Sequence, residues 1–353
     1  MRKRWLFTFI GLLFLALYTM SSNTHLMMDL LEKRSKVSSA FGADRSRYGD
    51  LYYMCFLPQY KSSNRLLENI KPDSVFDKKR EINLYAICNS YLLSFIQTPK
   101  VFAGVKKYWQ ERALNPQSPV LDTTQKNILL LQVTERSVMM FLYADRIIKN
   151  FKPHAPQGPS DTLKYINKYE IPPFPLKEQI FSPRLNEALE FNLFDYRFIT
   201  PVKELKATIN HKFFGRISPG VVISPDNKYL FLSSTVKKSA ISSSFYPLSD
   251  AQINKLIASF NKLYTHYKEV VGFDEVYLSI IPNPVTIVAP EMDTYNNLLP
   301  RIQQNPDLKV PTIDVYEKFK QARQPIYQYA DTHWNNRGLN LWLEEVNKKL
   351  INN

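Results

Sequence analysis

Three strongly apolar runs constrain the fold more than any other feature: Ile82-Asn83-Leu84-Tyr85-Ala86-Ile87, Asn127-Ile128-Leu129-Leu130-Leu131-Gln132-Val133 and Glu275-Val276-Tyr277-Leu278-Ser279-Ile280-Ile281. None shows the strict polar alternation of a half-solvated sheet, so each reads as a strand covered on both faces, as in a parallel sheet. Between the second and third lies Gln252 to Val271, with apolar residues at helical spacing. The last stretch, with Leu339, Trp342, Leu343, Val346 and Leu350, has the same period and predicts a final helix packed on the sheet. Alternating strands and helices give an α/β fold, expected as a three-layer α/β/α sandwich with a mostly parallel sheet. Val221 to Leu232 reads as a hairpin turning at Pro225-Asp226-Asn227.

The N-terminus sets the compartment. Arg2, Lys3 and Arg4 precede an uncharged run from Trp5 to Met20, which as a helix spans about 24 Å and extends through Ser21 and Ser22. Cations on the N-terminal side predict a cytoplasmic start and an exported remainder. No small-x-small cleavage site is evident and no cysteine follows to accept lipid, so residues 1–24 are expected to remain as an anchor. Residues 25–80 then form a juxtamembrane lead-in, and 81–353 the main domain, interrupted by a proline-rich excursion at about 152–183.

The net charge of +14 favours contact with anionic lipid head groups or acidic glycans. Export argues against nucleic acid as the partner. Cys55 and Cys88 are the two cysteines, either one disulfide in an oxidising compartment or two buried small apolar residues. No His-Glu-x-x-His spacing and no phosphate-cradling glycine loop occurs, so no metal or other cofactor is expected.

Ser90 follows the first apolar strand where the chain turns toward the helix-like Tyr91 to Ile96, and Asp331-Thr332-His333-Trp334 precedes the final helix. A serine hydroxyl needs a base to take its proton, and histidine does this best when a carboxylate holds its ring. Asp331 and His333 are two apart, so in a loop both side chains leave the same side. A parallel sheet can bring that loop to the carboxyl end of an early strand. His25, His154, His211 and His266 lack such an acidic neighbour and read as structural.

Tyr329-Ala330-Asp331-Thr332-His333-Trp334-Asn335 with Gly338 resembles the Asp-x-His-Trp block of the SGNH hydrolase-like proteins of the alginate O-acetyltransferase (DHHW-type) group. Ile280 to Ile287, Asn227 to Phe231 and Thr134-Glu135-Arg136 are similar to further stretches of that group. Ile87-Cys88-Asn89-Ser90-Tyr91 stands where SGNH hydrolases carry Gly-Asp-Ser, with cysteine for glycine and asparagine for aspartate. Here the serine precedes the Asp-x-His block, as in ordinary SGNH hydrolases; in the alginate group it follows. The resemblance implies Ser90 as nucleophile, His333 as general base and Asp331 as its orienting carboxylate. It also implies an oxyanion hole from the Ser90 backbone N–H with Asn89 or Asn283 as side-chain donor, and Arg136 and Trp334 as substrate contacts.

The implied activity is O-acetyl transfer to, or acetyl-ester hydrolysis on, an envelope polysaccharide. A membrane-bound O-acyltransferase would supply the acyl group, and the protein would be single-pass in a bacterial inner membrane with its main domain in the periplasm or outside the cell. The alternative is a catalytically degenerate SGNH fold that binds glycan or scaffolds an envelope complex.

Overall fold

The computed structural model describes residues 2–37, 39–44, 47–61, 79–96, 98–155 and 185–352. The chain divides into two units, each assembled from two separate segments. Residues 1–64 and 165–218 form the first, and 65–164 and 219–353 the second. Most of the proline-rich excursion lies outside the described residues.

The first unit is helical. Helix α1 (Arg2–Ser22) is long and apolar enough to cross a membrane, and Trp5, Phe7, Phe9 and Phe14 on it are exposed. Its C-terminal end is built into the unit, with Ser21 and Ser22 buried and Ser21 Oγ accepting from Asn192 Nδ2 at 2.9 Å. Helices α2 (Thr24–Lys36) and α3 (Asp50–Cys55) follow; α4 (Leu185–Phe194) packs on α1, and α5 (Thr200–Phe214) is tied to α3 where the Tyr52 hydroxyl donates to Glu204. Two arginines tie these pieces together through backbone carbonyls at and just beyond the helix ends. Arg34 donates to the Phe191 and Asp195 carbonyls; Arg197 donates to the Ser39 and Val37 carbonyls and pairs with buried Asp44 at 3.0 Å.

The second unit holds the sheet. Strands β1 (Lys79–Cys88), β2 (Gly104–Arg112) and β3 (Lys126–Thr134) join the parallel sheet in the order β2-β1-β3, and β6 (Glu275–Ile281) extends it beyond β3; β4 (Val221–Ile223) and β5 (Leu230–Leu232) make a separate antiparallel hairpin. Every pairing within the four-stranded sheet is parallel. Strand alternation puts Leu84, Ala86, Ile128 and Leu130 in one core with Leu339, Trp342 and Val346 of α7 (Asn336–Ile351). It puts Tyr85, Ile87, Leu129 and Leu131 in another with Ile253, Leu256 and Phe260 from the Asp250–Thr265 helix, α6. Both faces are therefore covered, which explains the missing polar alternation.

Helix α6 begins with a Ser249–Gln252 capping box and passes into a π-helical turn, His266–Val271, before Gly272 at φ 91° ends it. Strand β2 was not evident in the sequence; its exposed Lys106 and Lys107 mark it as a sheet edge. Cys55 and Cys88 are both buried and free, so the disulfide alternative is set aside in favour of two small apolar residues. Burial pushes both thiols up.

Helix α7 is held to the sheet by more than apolar area, because the buried Trp342 indole donates from Nε1 to Ser279 Oγ of β6 at 3.0 Å. Trp342→Phe removes that bond and part of the packing, and is expected to cost about 2 kcal/mol in urea denaturation. A change under about 0.5 kcal/mol would mean that apolar contact alone docks α7.

Candidate active site

With strand order β2-β1-β3-β6, the chain leaves β1 toward one neighbour and returns to its other side, so β1 and β3 flank a topological switch point. Ser90 follows β1 there, Glu135 and Arg136 follow β3, and Asn283 follows β6. Parallel pairing places these three strand ends on one edge.

Ser90 opens a single helical turn, Ser90–Leu93, capped by Asn89, whose Oδ1 accepts from the Tyr91 backbone N–H at 3.0 Å. First-turn N–H groups have no intrahelical acceptor, and that of Ser90 is one of them. The Asn89 backbone N–H donates to Gln132 Oε1 at 3.1 Å, tying the Ser90 turn to the neighbouring strand.

The Asp331 loop reaches the same place. His333 Nε2 lies 2.8 Å from Ser90 Oγ, and His333 Nδ1 lies 2.6 Å from Asp331 Oδ1. Asp331 Oδ1 also accepts from the His333 backbone N–H at 2.9 Å, an Asx turn that aims ring and main chain together. A carboxylate facing Nδ1 selects the tautomer protonated there and leaves the Nε2 lone pair for the serine hydroxyl. Asp331 is buried, while the His333 side chain keeps 12% of its surface open. Tyr91 and Phe95 pack on the imidazole with ring centroids 4.9 and 5.4 Å away, and the Tyr91 hydroxyl donates to the Thr332 carbonyl. The structure thus brings Ser90, His333 and Asp331 into one hydrogen-bonded chain.

The other sequence-derived residues sit close by in different roles. Asn89 spends its side chain on the cap and on a 3.3 Å contact from Nδ2 to Thr134 Oγ1. Asn283 is buried, accepts from the Arg136 backbone N–H at 3.1 Å and donates to Ser244 Oγ at 3.0 Å, so its amide is committed to the scaffold. Trp334 corrects the expectation of a substrate contact. Its ring is fully buried between Tyr91 and Trp342, 5.0 and 5.6 Å away, and has no surface to offer a sugar. Arg136 is half-buried, has no ion pair among the described residues, and donates from Nη2 to Oγ1 of Thr332, the residue between Asp331 and His333, at 3.4 Å. Gln132 went unassigned in the sequence, although a lone amide within the Ile128–Val133 run was the available signal.

Glu135 anchors this edge. It is buried, and its Oε2 accepts from Thr286 Oγ1 at 2.6 Å and the Asn283 backbone N–H at 2.8 Å. Burial pushes its carboxyl up to about 7 against those hydrogen bonds. A raised acid pKa makes the protonated form the stabilising one. That stability is complete below the unfolded carboxylate pKa, near 4.3, and is lost as pH rises to about 7. Glu135→Gln is therefore expected to gain on the parent by up to about 3 kcal/mol between pH 4.5 and 8 in denaturant titrations. A pH-independent difference would show that Glu135 stays ionised throughout.

The Asp331 loop also depends on Gly338 in α7. A Cβ there would lie 2.4 Å from the Ile326 carbonyl oxygen and 2.7 Å from Trp334 Cβ. The same carbonyl accepts from the Asn335 backbone N–H at 2.9 Å, holding the loop closed. Gly338→Ala is expected to cost about 1–3 kcal/mol by thermal denaturation, and an unchanged melting temperature would count against this close approach.

Comparison with protein-family models, curated proteins and solved structures gave no match. The residues' own geometry therefore carries the functional reading.

Proposed function

We propose that the second unit is a Ser-His-Asp acyl-transfer domain with an SGNH-like three-layer sandwich, acting as an O-acetyltransferase or acetylesterase on an envelope polysaccharide. The observation that carries this is the Ser90–His333–Asp331 chain, with contacts of 2.8 and 2.6 Å at the carboxyl edge of the sheet. Ser90 Oγ attacks the acyl carbonyl carbon while His333 Nε2 takes the hydroxyl proton. The tetrahedral intermediate collapses as His333 gives that proton to the leaving oxygen, and the acyl group remains on Ser90. A sugar hydroxyl or water then attacks, its proton passes to His333, and Ser90 leaves with it restored. The Ser90 backbone N–H is the available oxyanion donor from the nucleophile turn. The Arg136 guanidinium beside Thr332 supports its reading as the contact for an anionic glycan group.

Helix α1 supports an anchored protein, and the flanking cations support a single-pass bacterial inner-membrane location with the main domain periplasmic or outside the cell. A membrane-bound O-acyltransferase is the donor that such an anchor would keep at hand. One observation favours the second reading, a domain that binds glycan or scaffolds a complex without turnover: the Asn89 and Asn283 amides are both engaged elsewhere.

Full-length protein in detergent should release p-nitrophenol from p-nitrophenyl acetate. Ser90→Ala and His333→Ala should each lower turnover at least about 100-fold, and Asp331→Asn by roughly 10² to 10⁴. Equal slow background in parent and variants would favour the binding reading.

A further inference from the structure

Helix α5 of the first unit is built inside out. At about 100° per residue, Val202, Leu205, Ile209 and Phe213 fall within an arc of roughly 80°, and they are 65, 61, 41 and 78% exposed. The opposite face meets the protein. There Glu204 accepts from the Tyr52 hydroxyl and pairs with Lys61 at 2.8 Å, and Thr200 at the helix start donates to buried Asp44 at 2.9 Å. Thr200 is the buried residue of α5, so packing takes up none of its large apolar side chains.

Phe198, 53% exposed, continues the stripe before the helix. Beside it runs a groove of about 890 Å³ lined by Leu189, Leu193 and Phe194, with Lys203, Lys206 and Arg216 among its cations. Exposed Lys206 and Lys212 flank the stripe on its two sides. An apolar stripe of this kind rimmed by lysines suits a bilayer surface, the rings and aliphatic chains entering the acyl boundary and the ammonium groups rising to the phosphates.

Position within the unit names the same occupant. Helix α4, which precedes α5, is bonded through Asn192 to Ser21 at the end of α1, where a span begun at Arg4 leaves the hydrocarbon. We propose that α5 is a second, interfacial membrane contact, with its Val202–Phe213 face in the acyl boundary of the outward leaflet and Lys206 and Lys212 on anionic lipid head groups. This rests on α1 spanning the bilayer and is independent of the acyl-transfer reading.

The test uses full-length protein reconstituted in vesicles of phosphatidylethanolamine and phosphatidylglycerol at 3:1. Environment-sensitive maleimide labels are placed separately at Leu205→Cys, Phe213→Cys, the off-stripe Thr208→Cys and the α1 position Leu13→Cys. The parent, whose two cysteines are buried, reports background labelling. Lipid carrying a nitroxide near the head group is expected to quench labels at 205 and 213 at least about 3-fold more than the label at 208, and aqueous iodide is expected to do the reverse. The label at 13 should be shielded from iodide. Iodide quenching at 205 and 213 with a shielded label at 13 overturns the interfacial contact and leaves the anchor standing. Protection of 205 and 213 from both quenchers also overturns it, since a protein surface then covers the stripe. Exposure of 13 to iodide removes the anchor and this inference with it.

Discussion

Parallel pairing of β1 with β3 is the constraint on which the second unit turns. Parallel neighbours need crossovers that return over a face of the sheet, so both faces become covered and the strands lose their polar alternation. The same geometry points all four strands of that sheet in one direction and collects the chain reversals carrying Ser90, Arg136 and Asn283 along one edge. A loop arriving from before α7 then needs only to lie across that edge for His333 to meet Ser90. The local sequence supplies the terminators, Asn89 as a cap after β1 and Pro282 and Pro284 around Asn283 after β6.

At this edge, stability and site geometry draw on shared groups. Asn283 receives the Arg136 backbone N–H and presents its own N–H to Glu135, while Gln132 holds Asn89 in place. Each bond is worth only about 1 kcal/mol net, yet leaving any one of these buried groups unpaired would cost more. The edge is held by mutual satisfaction of polar groups, and the two cores on either side keep water from competing for them.

Much of this was legible in the sequence. The runs at 82–87, 127–133 and 275–281 became strands within a few residues of their expected limits, the 221–232 hairpin formed around Asn227 at φ 59°, and the C-terminal period became α7. Strand β2 escaped because edge position permits Lys106 and Lys107 to face water, which erases an apolar run. The burial of Trp334 was hidden because an aromatic residue beside a histidine reads the same whether it faces the core or a ligand. Helix α5 was obscure for a different reason, since a helical period reports a stripe without saying which side the protein occupies.

The double use of Asp331 Oδ1, accepting from both the main chain and the ring of His333, has an evolutionary reading. The loop's shape and the aim of the imidazole share one carboxylate, so they cannot drift apart independently. A descendant under no selection on the imidazole would still keep Asp331 for the architecture of the loop. Among the described residues the Ser90 hydroxyl bonds to His333 Nε2 and to nothing that shapes the loop, so a lineage could exchange the serine freely while the aspartate and histidine persisted beside it.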